Sequence, residues 1–315
     1  MKKSIEEFKE EFISALEKRL SSANMEILTD EVVKNNDLRM TGICIKDTSK
    51  DYNISPTMYL ENIYKEYDGS NISQLADYVM HQMESAEVGN DFDITRITDI
   101  NYVKFNVYLK VINAESNYKY LLDKPYIPVN GFEDLVAVAK INIKVGEADG
   151  SSVVTDSLLE NLQISKEQLF DYARSNSQYN EPKSFFSLTD FLLNPSAIND
   201  SLEDSLSDEK SPIYILTNKS KLFGASVITY DGVFDEIYEK LGESFTIIPS
   251  SIHEVLILRD SVFDDNEEIL GIVDMVNSTE VAPDEILSAN IYHFNGVSKE
   301  IETIYAAERE AGAEL

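Results

Sequence analysis

The side chains best suited to catalysis or ligand binding lie in one short segment, Pro249-Ser250-Ser251-Ile252-His253-Glu254. It joins two predicted strands and brings two hydroxyls, an imidazole and a carboxylate close together. In a hydrolase, such groups would supply a serine nucleophile, a histidine base and an acid that orients the histidine. Neighbouring residues of a strand point to opposite faces, however, so His253 and Glu254 cannot readily hydrogen-bond to each other.

Two other interpretations of this segment stay open. In the first, the serine hydroxyls form hydrogen bonds with backbone groups of a turn that have no other partner, and the histidine caps the start of the following strand. In the second, the turn contacts a ligand or a partner. We therefore name Ser250, Ser251, His253 and Glu254 as candidate binding residues and assign no catalytic residue.

A second polar group is the acidic cluster Asp264, Asp265, Glu267 and Glu268. Carboxylates bind Ca²⁺ or Mg²⁺, but these four lack the spacing and the glycine of an EF-hand loop. Acids at the start of a helix also complement the positive end of its dipole, which is the simpler interpretation. We include the four acids among the candidate binding residues and predict no metal site and no cofactor.

The common catalytic and nucleotide-binding motifs do not occur. The sequence has no GxGxxG, GxxxxGK[ST] or GxSxG pattern. A single cysteine, Cys44, rules out cysteine-based zinc sites, and three histidines without HExxH argue against a histidine-rich metal site. A lone thiol cannot form an internal disulfide, so we expect a reducing, cytoplasmic environment.

The strongest compositional feature is charge. Lys and Arg number 27 against 57 Asp and Glu, a net charge of −30. Such a field repels phosphate, which argues against direct binding of nucleic acid or of an anionic membrane. Two stretches, 66–95 and 260–298, contain no Lys or Arg. The excess of Asp and Glu would keep the protein soluble, form a docking surface for a basic protein, or imitate a nucleic-acid backbone.

These observations lead to three functional predictions. The first is a non-enzymatic cytoplasmic protein that binds a macromolecular partner, expected to be a protein, through an acidic surface or the Ser250–Glu254 turn. The second is an inhibitor that imitates nucleic acid and binds a basic nucleic-acid-binding protein. The third is a hydrolase that uses His253.

Helical and strand patterns alternate along the chain without regular βαβ order. This predicts an α+β fold of antiparallel sheets with helices packed on one face, in two subdomains. Ser4 and Glu7 form a capping-box pattern at the start of the first helix, and Asn35-Asn36-Asp37 would turn a hairpin.

Two later runs, Val103–Val111 and Ala139–Val145, alternate strictly between apolar and polar residues. Strict alternation predicts an antiparallel sheet with one face in solvent. Leu222–Thr229 is predicted to be a strand that pairs with Ile213–Thr217.

The 315 residues suffice for about two domains. We predict an N-terminal α+β subdomain at 1–194, an acidic linker or surface loop at 195–211, a C-terminal α+β subdomain at 212–305 and a frayed tail at 306–315. The N-terminus lacks the apolar core of a signal peptide, and no apolar run has the length needed to span a bilayer.

Several short segments together resemble a family of similar length from clostridial gut bacteria that is classed as a domain of unknown function. They are Ser55-Pro56-Thr57 with Tyr59-Leu60, Val111-Ile112-Asn113, Phe132 with Asp134-Leu135, Leu216-Thr217-Asn218, Gly224-Ala225-Ser226 and Pro249–Val255. The resemblance covers most of the chain. It implies a bacterial cytosolic protein of mobile-element or accessory gene content, and it carries no activity or site.

Overall fold

The computed structural model describes residues 2–20, 24–49, 57–85, 94–145, 148–193, 211–263, 269–271, 273 and 281–305. Three antiparallel sheets and the helices packed against them give a mixed α+β fold, so the predicted fold class is confirmed. Within these ranges, no helix combines the length and apolar character needed to cross a membrane.

The N-terminal part folds around its own small core. Both bonds of the predicted capping box form between Ser4 and Glu7, and the first helix follows directly. The elements here are α1 (Ile5–Glu17), β1 (Met25–Val33), β2 (Arg39–Asp47), β3 (Thr57–Tyr59), α2 (Leu60–Lys65) and α3 (Ile72–Ser85). The three strands form one sheet in the order β1-β2-β3. Phe8 and Phe12 of α1 are completely buried against α2, α3 and this sheet.

The middle of the chain forms a four-stranded sheet backed by helices. It contains α4 (Ile100–Asn106), β4 (Val107–Asn113), β5 (Tyr126–Pro128), β6 (Leu135–Val145), β7 (Ala148–Val153), α5 (Asp156–Leu162) and α6 (Lys166–Asn180). Strand β6 is central, because β4, β5 and β7 all pair with it.

The last part forms a six-stranded sheet in the order β13-β12-β10-β11-β9-β8. Its elements are β8 (Lys183–Ser187), α7 (Leu188–Leu193), β9 (Ile213–Asn218), α8 (Val233–Leu241), β10 (Phe245–Ile248), β11 (Val255–Arg259), β12 (Ile291–Asn295) and β13 (Glu300–Tyr305). Helix α8 ends at Gly242, whose φ of 74° is the left-handed conformation that glycine adopts readily.

The four-stranded and six-stranded sheets share one hydrophobic core, which includes Val111 and Ile141 of the first and Leu216 and Ile257 of the second. Strand β8, which precedes the predicted linker, pairs with β9, which follows it. The linker itself, apart from its last residue, and the predicted tail lie outside the described residues. The division into two subdomains therefore stays a prediction, although the core runs across it.

A buried carboxylate also joins the two larger sheets. Asp134 accepts hydrogen bonds from Asn113 Nδ2 at 2.8 Å and from Ser288 Oγ at 2.6 Å, and the Tyr292 hydroxyl donates to its other oxygen. Burial raises the pKa of Tyr292, and the neighbouring Asp134 raises it further. The phenol therefore remains a donor to this carboxylate.

Three sequence predictions about local structure were wrong. Residues 103–106 belong to helix α4, because Asp99 caps its start by accepting from the Asn101 N–H at 2.8 Å. The predicted strand Leu222–Thr229 is instead a 3-10 helix at Gly224–Thr229. The polar face of the alternating strands is not solvated at Lys110 and Lys140, which are only 8% and 5% exposed, whereas Tyr108 and Asn142 are partly exposed.

Candidate functional site

The predicted serine–histidine segment forms the connection between β10 and β11. Ser250 and Ser251 are buried. The Ser251 hydroxyl accepts from the backbone N–H groups of His253 at 3.0 Å and Glu254 at 3.2 Å, and it donates to the Glu254 carboxylate at 2.7 Å. The hydroxyl thus holds the turn together, as the structural interpretation of this segment expects.

The His253 imidazole is held between a backbone amide and a carboxylate. Its Nδ1 accepts from the Phe223 N–H at 3.1 Å, and its Nε2 lies 3.4 Å from Oε1 of Glu285. Because Nδ1 is an acceptor, the neutral ring carries its proton on Nε2. No hydrogen bond joins the imidazole to Ser250 or Ser251 in the described ranges. The geometry offers no support for the hydrolase, which stays a prediction.

The imidazole instead fixes the position of Phe223. The two rings stack with centroids 5.5 Å apart and planes 20° apart. Phe223 has a left-handed backbone, with φ 53° and ψ 33°, which costs roughly 1–3 kcal/mol for a residue with a side chain. Thr217 also holds the backbone of His253 in place, because its hydroxyl donates to the His253 carbonyl at 2.7 Å.

Two lysines lie over the face of the same Phe223 ring. The Nζ atoms of Lys110 and Lys140 are 5.0 and 4.8 Å from its centroid, within the range of a cation–π contact. In the β4–β6 register Tyr108 lies opposite Lys140, so both lysines project from one face of the sheet.

The two ammonium groups have different neighbours. Lys140 Nζ donates to Asn142 Oδ1 at 2.5 Å. In the part of the chain that the structure describes, Lys110 Nζ has no hydrogen-bond acceptor and neither lysine forms a salt bridge. An unpaired buried ammonium is costly, because burial removes its hydration.

Burial changes the acidity of both groups. It lowers the pKa of Lys110 to about 8; the positive charges of Lys140 and Lys34 act in the same direction, and Asp284 and Glu285 oppose them. Burial also lowers the pKa of Lys140 to about 8, against the opposing effect of Glu181. Each lysine is therefore close to half protonated near pH 8.

The lysines and Phe223 separate two adjacent cavities, which we call together the double cavity. The smaller has a volume of about 360 Å³ and is lined by Lys140 together with Tyr108, Asn142, Asn218, Ser226 and Tyr230, among others. The larger has a volume of about 610 Å³ and is lined by both lysines together with Lys34, Lys124, His253, Asp284 and Glu285, among others. Lys140, Ser151, Leu222 and Phe223 line both.

The β1–β2 turn forms part of the wall of the larger cavity. Asn36 Nδ2 donates to the carbonyls of Pro283 and Ile286, both at 2.8 Å. Asn35 lines the cavity and donates to the Asp284 carbonyl at 2.9 Å. Its Oδ1 is buried without a hydrogen-bond partner among the described residues. The turn therefore places an acceptor that has no partner among the described residues, Asn35 Oδ1, in a residue that lines the same cavity as Lys110.

The charge of the larger cavity contrasts with that of the whole protein. Among the described residues, four lysines and two carboxylates line it, whereas the chain as a whole carries −30. An anion in contact with both buried ammonium groups would restore the interactions that burial removes. The arrangement is suited to binding a small anion.

A family comparison covers nearly all of these elements. Residues 5–296 match DUF5688, described as a family of unknown function. The chain belongs to the DUF5688 family. No curated protein and no solved structure shows significant similarity to it.

In this DUF5688 member, three of the segments that carry the resemblance meet behind Phe223. Asn218 Nδ2 donates to the Leu222 carbonyl at 3.0 Å. Gly224 packs so closely on Thr217 that a β-carbon there would lie 2.0 Å from the threonine Oγ1 and 2.4 Å from the His253 carbonyl oxygen. These contacts hold one wall of the double cavity.

Of the other predicted site residues, Ser250, Ser251 and Glu254 are not among the described residues that line either cavity. The acidic cluster Asp264, Asp265, Glu267 and Glu268 lies outside the described residues. Within the described ranges, no group of three or more His, Cys, Asp or Glu has a geometry that would hold a metal ion.

Sequence reasoning missed Lys110, Lys140 and Phe223. The available signal was the presence of lysines at polar positions of both alternating runs, and alternation alone predicted that these lysines are solvated.

Proposed function

We propose that this DUF5688 protein binds a small anionic ligand, a phosphate- or carboxylate-bearing molecule, in the double cavity. One observation carries the proposal: the ammonium groups of Lys110 and Lys140 are buried over one Phe223 ring, and no carboxylate among the described residues forms an ion pair with either. The cavities have the volume of small-molecule sites, which span about 300–1,000 Å³.

The proposal is tested by binding measurements on the full chain. Inorganic phosphate and a panel of phosphate- and carboxylate-bearing metabolites are screened by thermal shift, and hits are measured by calorimetry. Lys110→Met and Lys140→Met should each weaken the best hit by about tenfold or more, because a charge-assisted hydrogen bond is worth about 1.5–3 kcal/mol.

The matched control is Lys65→Met, which removes an exposed lysine of α2. It removes one positive charge, as the test variants do, and should leave the affinity unchanged. Equal affinity of the wild type and the Lys110→Met/Lys140→Met double variant for every hit would refute the proposal.

A second candidate rests on the net charge of −30 and on the Lys- and Arg-free stretches 66–95 and 260–298. We propose that an acidic surface binds a basic protein, one class of which is a nucleic-acid-binding protein held by imitation of its ligand. Affinity capture from the native host at low and high salt, followed by mass spectrometry, tests it. Recovery of no basic protein at low salt would count against it.

We also propose a host organism and a cellular location for this protein. The resemblance supports a clostridial host, mobile-element or accessory gene content and a cytoplasmic location. Fractionation of the native host with antibodies against the chain tests the location.

A further inference from the structure

We propose that the side-chain amine of Lys110 condenses with the carbonyl group of an anionic aldehyde or ketone to form an imine, while Lys140 holds the anionic group of that ligand. The inference rests on the proposed anion-binding function and specifies its ligand class. It assigns different roles to two lysines that are similarly buried.

The contacts of the two lysines decide which one reacts. Lys140 Nζ is engaged with Asn142 Oδ1 at 2.5 Å, and Lys140 lines both cavities, so it is positioned to pair with a negative charge. Lys110 Nζ has no acceptor in the described ranges and lines the larger cavity of about 610 Å³. A nucleophilic amine must also be free to move toward the carbonyl carbon; the bond to Asn142 restrains Lys140, and Lys110 has no such bond among the described residues.

The surroundings of Lys110 favour its neutral form. Lys140 projects from β6, Lys34 follows β1, and Asp284 and Glu285 face the amine from the loop before β12. His253, Tyr120 and Lys124 also line this cavity. Burial lowers the pKa of Lys110 to about 8, with the two lysines adding to the effect and the two acids opposing it. Desolvation beside another cation is a known way to activate a lysine nucleophile.

The reaction balances without an oxidant or reductant. The neutral amine nitrogen attacks the carbonyl carbon, and the π electron pair moves to the oxygen, which takes up a proton. The nitrogen loses a proton to give the carbinolamine. Its hydroxyl takes up a second proton and leaves as water while the nitrogen lone pair forms the C=N bond, and loss of the remaining N–H proton gives the neutral imine. One amine and one carbonyl thus become one imine and one water, with the proton exchange carried by solvent in the open cavity.

The test uses two probe pairs of different size. Glyoxylate is compared with glycolate, and pyridoxal 5′-phosphate with pyridoxine 5′-phosphate; each pair contrasts an anionic aldehyde with its alcohol. The full chain is treated at pH 8 with each aldehyde and cyanoborohydride, and modified lysines are mapped by mass spectrometry. Modification of Lys110 should be about tenfold or more faster than that of exposed Lys65. At pH 8 a larger fraction of Lys110 is the neutral amine, because its pKa is about 8 and that of an ordinary lysine is about 10.4.

Variants separate the two roles. Lys110→Arg should abolish the adduct and retain binding of the alcohols, because the positive charge remains. Lys140→Gln should slow modification of Lys110 by the anionic aldehydes by about tenfold. It should slow the reaction with neutral pyridoxal less, because pyridoxal has no anionic group for Lys140 to hold and is affected only by the higher pKa that Lys110 has without the neighbouring charge.

The outcomes distinguish this inference from the function on which it rests. If the alcohols bind and neither aldehyde modifies Lys110 preferentially, imine formation is overturned and anion binding stands. If neither alcohols nor aldehydes bind and Lys110 reacts no faster than Lys65, both proposals fail. Preferential modification of Lys140 would reverse the assigned roles and overturn the inference as stated.

Discussion

Phe223 donates its backbone N–H to Nδ1 of His253 at 3.1 Å while the rings of the two residues stack 5.5 Å apart. The pair stabilises a left-handed backbone at Phe223 and fixes the ring on which Lys110 and Lys140 rest. His253 therefore positions Phe223, and in the proposed anion site the lysines would supply the positive charge.

Replacing His253 should leave the Phe223 ring less fixed in position and weaken the proposed anion binding. His253→Ala leaves the Phe223 N–H without its acceptor, so the free energy of unfolding should fall by about 1–3 kcal/mol and anion affinity should fall with it. His253→Asn, which can offer an amide oxygen, should recover part of both. Urea denaturation and calorimetry measure the effects, and unchanged stability of His253→Ala would contradict this role.

The buried lysines should make stability depend on alkaline pH. Their folded pKa of about 8 lies below the unfolded value of about 10.4, so between these pH values the unfolded chain binds more protons. Stability should therefore rise with pH across this window, by at most about 3 kcal/mol per lysine. Below pH 8, Lys110→Met should be more stable than wild type, because it removes an unpaired buried charge.

The measurement is urea denaturation of wild type, Lys110→Met and Lys65→Met between pH 7 and pH 10. The advantage of Lys110→Met should shrink as pH rises, whereas Lys65→Met should follow the wild type throughout. Parallel curves for wild type and Lys110→Met would contradict the assignment of a lowered pKa.

A methyl group at Gly224 should disturb the wall behind Phe223. Its β-carbon would lie 2.0 Å from Thr217 Oγ1, 2.4 Å from the His253 carbonyl oxygen and 2.8 Å from the Asn218 nitrogen. Two of these atoms belong to the backbone and cannot rotate away, so Gly224→Ala should cost about 2–3 kcal/mol. Gly271→Ala is the control, because a β-carbon there meets nothing within 4 Å. Thermal unfolding that ranks the two variants equally would refute this explanation.

Asp134 should be needed for the docking of the two larger sheets. Asp134→Ala leaves the donors of Asn113, Ser288 and Tyr292 unpaired in the core, and we expect a loss of roughly 2–4 kcal/mol. Asp171→Ala removes a carboxylate whose side chain is 73% exposed and 4.0 Å from Arg174, so its effect should stay below about 1 kcal/mol. Chemical denaturation of both variants tests the difference.

Local sequence signals determined much of the secondary structure. The capping box at Ser4 and Glu7 forms as predicted, because its partners are three residues apart. The turn at Asn36 and Asp37 adopts positive φ values of 62° and 51°, as asparagine and aspartate tolerate. The α+β class followed from the same local periodicities.

Local signals were misleading where two structures compete over a few residues. The run at 103–106 alternates like a strand, but the cap at Asp99 extends the helix through it. The apolar run at 224–229 would suit a strand, yet left-handed turns at Lys221 and Phe223 bend the chain into a 3-10 helix.

The candidate site was decided by tertiary structure alone. Period-two alternation tells which residues share a face of a sheet, but it does not tell what covers that face. Lys110 and Lys140 were predicted to be solvated, and they are buried beneath the ring of Phe223, in a cavity that the β1–β2 turn also lines; both segments are distant in sequence. The sequence by itself determined where the lysines project; only the packing of distant segments made them a buried pair with lowered pKa values.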